Sequence, residues 1–352
     1  MYRQKLIKFF EENEYGKWRS GEKVSYEILD PAKTESVTFF GQEIPGEPVK
    51  INVDGVSFTV RVIKPEEDAP HKGAHPFVIC MHPIQPVDTF KKAGFGLIFM
   101  DTREIASDDC KHDGCFYKLY PYGEEKEQTG VLMAWAWGAS KILDAVYNGL
   151  AEEFRLDSEA SMVTGVSRWG QATAVCGAFD ERFRMTIPAC SGAGGLALFN
   201  YFSEGKTYDL RGVGGPADYT YGKNEPLDCL QSDAERGWFN DAFLEFKSPS
   251  DIPVEQDKLP VAAMAPDRYY FIIAACMGED WVNAPSMWEC YKLADKEYAT
   301  AGLAEHLVVN FHKEGHAVTE EDMELIISYF DKMYFKQDTE VDMKRLKTSV
   351  FE

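Results

Sequence analysis

The stretch that decides the fold is Met162–Arg182, MVTGVSRWGQATAVCGAFDER. An apolar run ends in Gly165-Val166-Ser167, and a small-residue segment of helical character follows at once. A strand that delivers a serine to the first turn of a helix is how an esterase presents its nucleophile. The unpaired N–H groups of that turn face an incoming oxyanion. The usual spacing is Gly-x-Ser-x-Gly, but here the second glycine, Gly170, comes one place late, behind Arg168 and Trp169. Gly165 suits the tight turn because a side chain there would clash with the elbow. Gly170 is expected to serve the same purpose one residue on, while Ala172 and Ala174 let the helix lie close to the sheet. A serine that only caps a helix fits the same letters, so the motif needs partners elsewhere in the chain.

An elbow serine requires a base and an orienting acid, in the chain order serine, acid, histidine. FIIAACMGEDW (Phe271–Trp281) reads as a strand ending in Glu279 and Asp280, and either acid meets the requirement. VVNFHKEGHAVTEEDMEL supplies the last strand, then Gly315-His316, then a helix capped at Thr319. Of seven histidines, only His316 has strand, glycine and helix in the required order. His312 lies inside the strand and reads as structural.

Around these motifs the pattern is consistent. The segment up to about Glu14 reads as an amphipathic helix, followed by strand-like runs VSYEIL, VTFFG and VSFTVRVIKP. HPFVICMH and FGLIFMD read as buried parallel strands. GVLMAWAWGASKILDAVYNGLAEEF reads as one long helix. SMVTGVS, FRMTIP, YYFIIAAC and HLVVNFH supply further strands, and EEDMELIISYFDKMYF is a closing helix. Antiparallel strands first and alternating strands and helices afterwards predict a three-layer α/β fold with a mostly parallel central sheet. The expected organisation is a single domain over 1–352, with an N-terminal extension (about 1–65) and a cleft-forming insertion (about 200–251) rich in Gly, Pro, Asp and Tyr.

Composition sets outer limits. With 352 residues, 45% of them hydrophobic, the chain can bury a large core. A net charge of −21 repels phosphate backbones and anionic lipid, which argues against nucleic-acid or membrane partners. The N-terminus lacks the apolar core of a secretory signal, and no run reaches the roughly 18 apolar residues of a membrane span. The expected location is therefore the cytoplasm. Among eight scattered cysteines, Cys80, Cys176, Cys190 and Cys276 lie in or beside apolar segments and are expected to be buried free thiols. CKHDGC (Cys110–Cys115) encloses His112, but no second ligand pair follows, so no zinc site is expected.

TGVSRWGQATAVCGAFDERFRMTIPACSGAGG (Thr164–Gly195) resembles the signature block of the glucuronoyl esterases, carbohydrate esterase family 15, which reads T-G-C-S-R-x-G-K-x-A with a later E-S-G-x-G-G. The resemblance extends to DDCKHDGCFYKLYP, LMAWAWGASKILDAV, GWFNDAF, EDW and EGHAVTEED, and covers roughly Phe95 to the C-terminus. It implies an α/β-hydrolase fold, serine esterase chemistry and no cofactor or metal. It also implies that Arg168 brings its guanidinium to the developing oxyanion, where a fixed cation outdoes a neutral donor. Three departures matter. Cys190 stands where many members carry the triad acid, which leaves Glu279 or Asp280 for that role. Gln171 replaces a lysine that helps hold the uronate, and Glu255-Gln256-Asp257 replaces a D-x-H. Glu235, Trp238 and Trp281 match positions that line the sugar site in relatives, where indole faces stack on pyranose rings. The expected substrate is an ester of 4-O-methylglucuronic acid on xylan-derived oligosaccharides. The alternatives are an acetyl-oligosaccharide esterase and, further off, a non-catalytic carbohydrate-binding protein.

Overall fold

The computed structural model describes residues 2–39, 41–67, 69–71, 73–82 and 87–352. Nine strands join in one sheet: β1 Val24–Ile28, β2 Glu47–Val53, β3 Val56–Ile63, β4 His75–Cys80, β5 Gly96–Met100, β6 Leu156–Val166, β7 Met185–Ala189, β8 Tyr269–Met277 and β9 Leu307–Glu314. Their order is β1-β2-β3-β5-β4-β6-β7-β8-β9. Pairings from β1 through β3 to β5 are antiparallel, and all those from β5 to β9 are parallel. Every residue of β4, β5 and β7 is buried, as a sheet covered on both faces demands. Because the later strands run the same way, their C-terminal ends line one edge, where open α/β sheets place their sites.

The sequence reading passes over β2. Val49, Ile51 and Val53 are fully buried and alternate with Lys50 and Asn52, but Pro48 near the start weakens the strand signal. VTFFG contributes only Thr38–Phe39 to a separate two-residue pairing with Gln42–Glu43. Phe40 of that run, like Met1, lies outside the described residues.

The helices are α1 Tyr2–Asn13, α2 Val131–Ala145, α3 Arg168–Phe179, α4 Ala284–Thr300 and α5 Glu320–Met333, with shorter turns between. The long helix expected over 130–154 is broken. After α2 the chain widens through Val146–Leu150, where Gly149 takes φ +117, before a last turn at Ala151–Phe154. Only glycine adopts that angle without strain, so the break is written at one residue. Helix α5 does not close the chain. The tail continues to Phe351, whose ring lies 5.3 Å from Phe311 and 5.2 Å from Tyr208.

The region 200–251 holds a two-residue strand pair, Thr207–Tyr208 with Tyr219–Thr220, and several short helical turns. All eight cysteines are free, and Cys80, Cys176, Cys190 and Cys276 are buried. Among the described residues no helix is long and apolar enough to cross a membrane.

Candidate active site

Ser167 stands between β6 and α3 at φ 64 and ψ −132, a conformation that costs energy for any residue with a side chain. Its N–H donates to the Ala189 carbonyl at 3.0 Å and its own carbonyl accepts from Gln171 N at 3.0 Å, so the surrounding backbone holds the strained turn. The late glycine is explained by what it touches. A Cβ on Gly170 would stand 2.5 Å from the Ala189 oxygen, and one on Gly165 would stand 2.5 Å from the Trp169 oxygen. The helix thus meets β7 at Gly170, while Trp169 turns inward. Its indole donates to Thr102 Oγ1 at 2.9 Å and stacks on His82, with ring centres 5.2 Å apart.

Two residues past β8 and two past β9 stand Glu279 and His316. His316 Nδ1 lies 2.6 Å from Glu279 Oε2, which leaves Nε2 for the cavity that Ser167 also lines. Asp280 does not face His316. Its Oδ1 accepts from Tyr219 Oη at 2.7 Å, its Oδ2 from Gly222 N at 3.0 Å, and its carbonyl from Asn224 Nδ2 at 2.6 Å. Of the two acids that the sequence leaves open, one meets the histidine and the other fastens the 200–251 region to the sheet.

Arg168 follows the serine, and its Nη1 donates to Asp108 Oδ2 at 2.8 Å. The other carboxylate oxygen of Asp108 accepts from Trp238 Nε1 at 2.9 Å, and the guanidinium carbon sits 4.8 Å from the centre of a Trp238 ring. The arginine is therefore held between a carboxylate and an indole face, with less freedom than its length allows.

These groups open on a cavity of about 380 Å³. Gln171 is buried at its wall. Its Nε2 donates to the Ala193 carbonyl at 2.6 Å, and its Oε1 is buried without a partner. Trp281 is 40% exposed and donates through Nε1 to Glu225 Oε1 at 2.9 Å. Glu225 and Glu235 lie together with Cys229, their oxygens and sulfur within 4.8 Å of one another. Burial, reinforced by the neighbouring Glu235, pushes Glu225 up to about 8, and burial also raises Glu235. Two carboxyls this close share a proton at neutral pH, one donating and one accepting. Burial pushes the Cys190 thiol, also on the cavity wall, up to about 12 and keeps it uncharged. His82 is driven down to about 4 by burial and, secondarily, by His316, so it is neutral.

Asp108, Glu225 and His82 escape the sequence reading. Asp108 opens the quoted DDCKHDGC, where a carboxylate paired with the arginine after the serine was available to be found. Glu225 sits in irregular chain with no periodicity to mark it, and His82 ends an apolar strand. At CKHDGC, Cys110 Sγ donates to the Asp233 carbonyl, and His112 stacks on Tyr122 at 3.6 Å between ring centres.

A strained serine between strand and helix, at the C-terminal edge of a mostly parallel sheet covered by helices, defines an α/β-hydrolase. A sequence profile for "Glucuronyl esterase, fungi" matches residues 49–302. A multidomain esterase of Ruminococcus flavefaciens is 42% identical over 346 residues, which is 96% of this chain and 44% of its own. A 4-O-methyl-glucuronoyl methylesterase of Hypocrea jecorina is 28% identical over 220 residues, 61% of this chain and 43% of its own. The solved glucuronoyl esterase of carbohydrate esterase family 15 from Caldicellulosiruptor kristjansonii superposes with a TM-score of 0.85 at 31% identity, covering 99% of this chain and 87% of that one. The chain belongs to the glucuronoyl esterase family, and it spans less than half the length of the two curated relatives.

Proposed function

We propose that this chain hydrolyses esters of 4-O-methylglucuronic acid carried on xylan-derived oligosaccharides. What carries the reading is that Ser167, Arg168 and the His316–Glu279 pair line one cavity, and Glu225, Glu235 and Trp281 line the same one. Relatives named as 4-O-methyl-glucuronoyl methylesterases support the choice of acid. Ser167 Oγ attacks the C6 carbonyl of the uronate while His316 Nε2 takes its proton, and Glu279 steadies the imidazolium. The negative charge on the carbonyl oxygen develops beside Arg168, whose cation is fixed before the reaction and needs no reorganisation. The alcohol departs with the proton from His316. Water then attacks the acyl-serine while His316 accepts its proton, and His316 returns that proton to Ser167 Oγ as the acyl bond breaks, which leaves glucuronate and free serine. The sugar hydroxyls meet acceptors and a donor on the Glu225–Glu235 pair, and an apolar face of the pyranose ring stacks on the Trp281 indole.

A second reading, removal of acetyl groups from xylo-oligosaccharides, rests on Gln171, which offers no cation to a uronate. Hydrolysis of benzyl glucuronate and of acetylated xylobiose under matched conditions, with Ser167→Ala as control, decides. Faster turnover of glucuronate is expected, acetyl preference would establish the second reading, and no turnover of either would leave a carbohydrate-binding protein.

A further inference from the structure

His312 lies inside β9, four residues before His316, and its ring is buried. Both ring nitrogens meet oxygens. Nδ1 is 2.9 Å from Asp322 Oδ2, and Nε2 is 3.0 Å from the Gly315 carbonyl. The Asp322 carboxylate accepts from every other partner it has: Thr319 N and Thr319 Oγ1 at 2.8 Å each, and Asn310 Nδ2 at 2.7 Å. A backbone carbonyl can only accept. Neutral imidazole carries one N–H and one lone pair, so either tautomer would set its lone pair against an oxygen. The imidazolium alone satisfies both contacts. Burial works to lower the pKa of His312, but the Asp322 carboxylate outweighs it and, with the Gly315 carbonyl and Glu279, holds the value above the ordinary one.

The two contacts sit at the two ends of one short loop. Gly315, at φ +112, starts it, and its carbonyl also accepts from Ala317 N at 3.0 Å. Thr319 ends it as the cap of α5, with Asp322 closing the capping box. His316 lies between. We propose that His312 is a positioning residue: its two N–H groups tie the Gly315 carbonyl to the Asp322–Thr319 cap and so keep His316 in register with Glu279. This rests on reading His316 as the general base.

The groups around His312 are few. Asp322 faces it from α5, and Glu279 from beyond β8. Lys313 and the Glu321–Arg345 ion pair line the open side, and Ala275 of β8 lies opposite. Since the folded pKa is raised, the stabilisation of the loop is complete below the unfolded value and is lost as pH rises through the folded one. Loss of the second N–H should therefore appear as an alkaline fall in kcat.

The test combines nitrogen NMR of protein carrying ¹⁵N-histidine with pH profiles of kcat. Both ring nitrogens of His312 should be protonated at pH 7, and the alkaline fall in kcat should follow the titration of His312. His312→Gln should lower kcat about ten- to a hundredfold with KM within about twofold, as for a misplaced catalytic group, and should abolish the alkaline fall. Asp322→Asn should move both titrations to lower pH. If His316→Ala turns over normally, the reading of the site itself fails. If His316→Ala is inactive but one His312 nitrogen is bare at pH 7, or folded His312→Gln keeps the wild-type kcat and profile, the positioning role is overturned. Should His312→Gln not fold, the nitrogen spectrum of the unsubstituted protein still decides.

Discussion

The two walls of the cavity are built differently. Ser167, Glu279 and His316 each stand one or two residues past the end of a parallel strand, and the register of β6, β8 and β9 fixes where those ends fall. Glu225, Glu235 and Trp238 come from chain whose own strands are a two-residue pair, and side-chain bonds hold it together with single backbone bonds such as Glu225 N to the Trp281 carbonyl. Asp280 takes Tyr219 and Gly222, Asn224 takes the Asp280 carbonyl, and Trp281 takes Glu225. The reaction groups are thus placed by the sheet and the recognition groups by contacts made onto the sheet's end. A fold can keep the first wall while the second is rebuilt for another sugar or another ester.

The sharpest way to break this division is to remove a group from the first wall. Ser167→Ala and His316→Ala should each lower kcat by more than about 10⁴-fold, since residues acting as a unit fail together. Melting temperatures should stay close to wild type. Turnover within about tenfold of wild type in either variant would move the reaction centre elsewhere.

Arg168 joins the walls, with its backbone in the elbow and its guanidinium against Asp108 and Trp238. Arg168→Ala should lower kcat by about 10²–10³-fold, the usual loss for one oxyanion donor, and leave KM nearly unchanged. A raised KM with unchanged kcat would assign the arginine to the recognition wall instead.

This division also explains what the sequence disclosed. The elbow, the order of serine, acid and histidine, and the parallel strands are local patterns repeated at fixed spacing, so they could be read directly. Residue-by-residue reading left Glu279 and Asp280 equivalent, because both follow one strand and only the side-chain directions separate them. The Asp108 contact joins residues 60 apart in sequence, and no periodicity records it. The apolar spacing over 130–154 continues across Gly149 and so predicts one helix, and one positive φ outweighs that pattern. Glu225 leaves no such local trace, since its surroundings arise only when Glu235 and Trp281 fold onto it.

The recognition wall can be probed through its shared proton. Burial raises Glu225 from 4.5 to about 8, so its contribution to stability is complete below about 4.5 and is lost as pH rises through about 8. Glu225→Gln removes this titration while keeping an oxygen for the Trp281 N–H. At pH 5 the variant and wild type should melt together. At pH 9 the variant should melt about 1–2 °C higher, the shift that about 1 kcal/mol produces when the unfolding entropy scales with a chain of 352 residues. Calorimetry at both pH values checks the difference, and equal melting at pH 9 would mean that Glu225 is ionised in the fold without cost.

The smallest expected effect tests which end of the sugar Gln171 faces. Its Nε2 is committed to the Ala193 carbonyl, and the side chain brings no charge to the cavity. A uronate ester is neutral until it is cleaved, whereas the product is an anion. A cation at this position should therefore act on the product more than on the substrate. Gln171→Lys places an ammonium where it can still donate to Ala193, and solvent at the cavity mouth limits its gain to about 1 kcal/mol. Inhibition by free glucuronate should tighten about fivefold, while KM for benzyl glucuronate changes less. Inhibition constants measured before and after the substitution separate the outcomes. If glucuronate inhibits both forms equally, Gln171 lies away from the carboxyl end, and cleavage of acetylated sugars becomes the better account of the cavity.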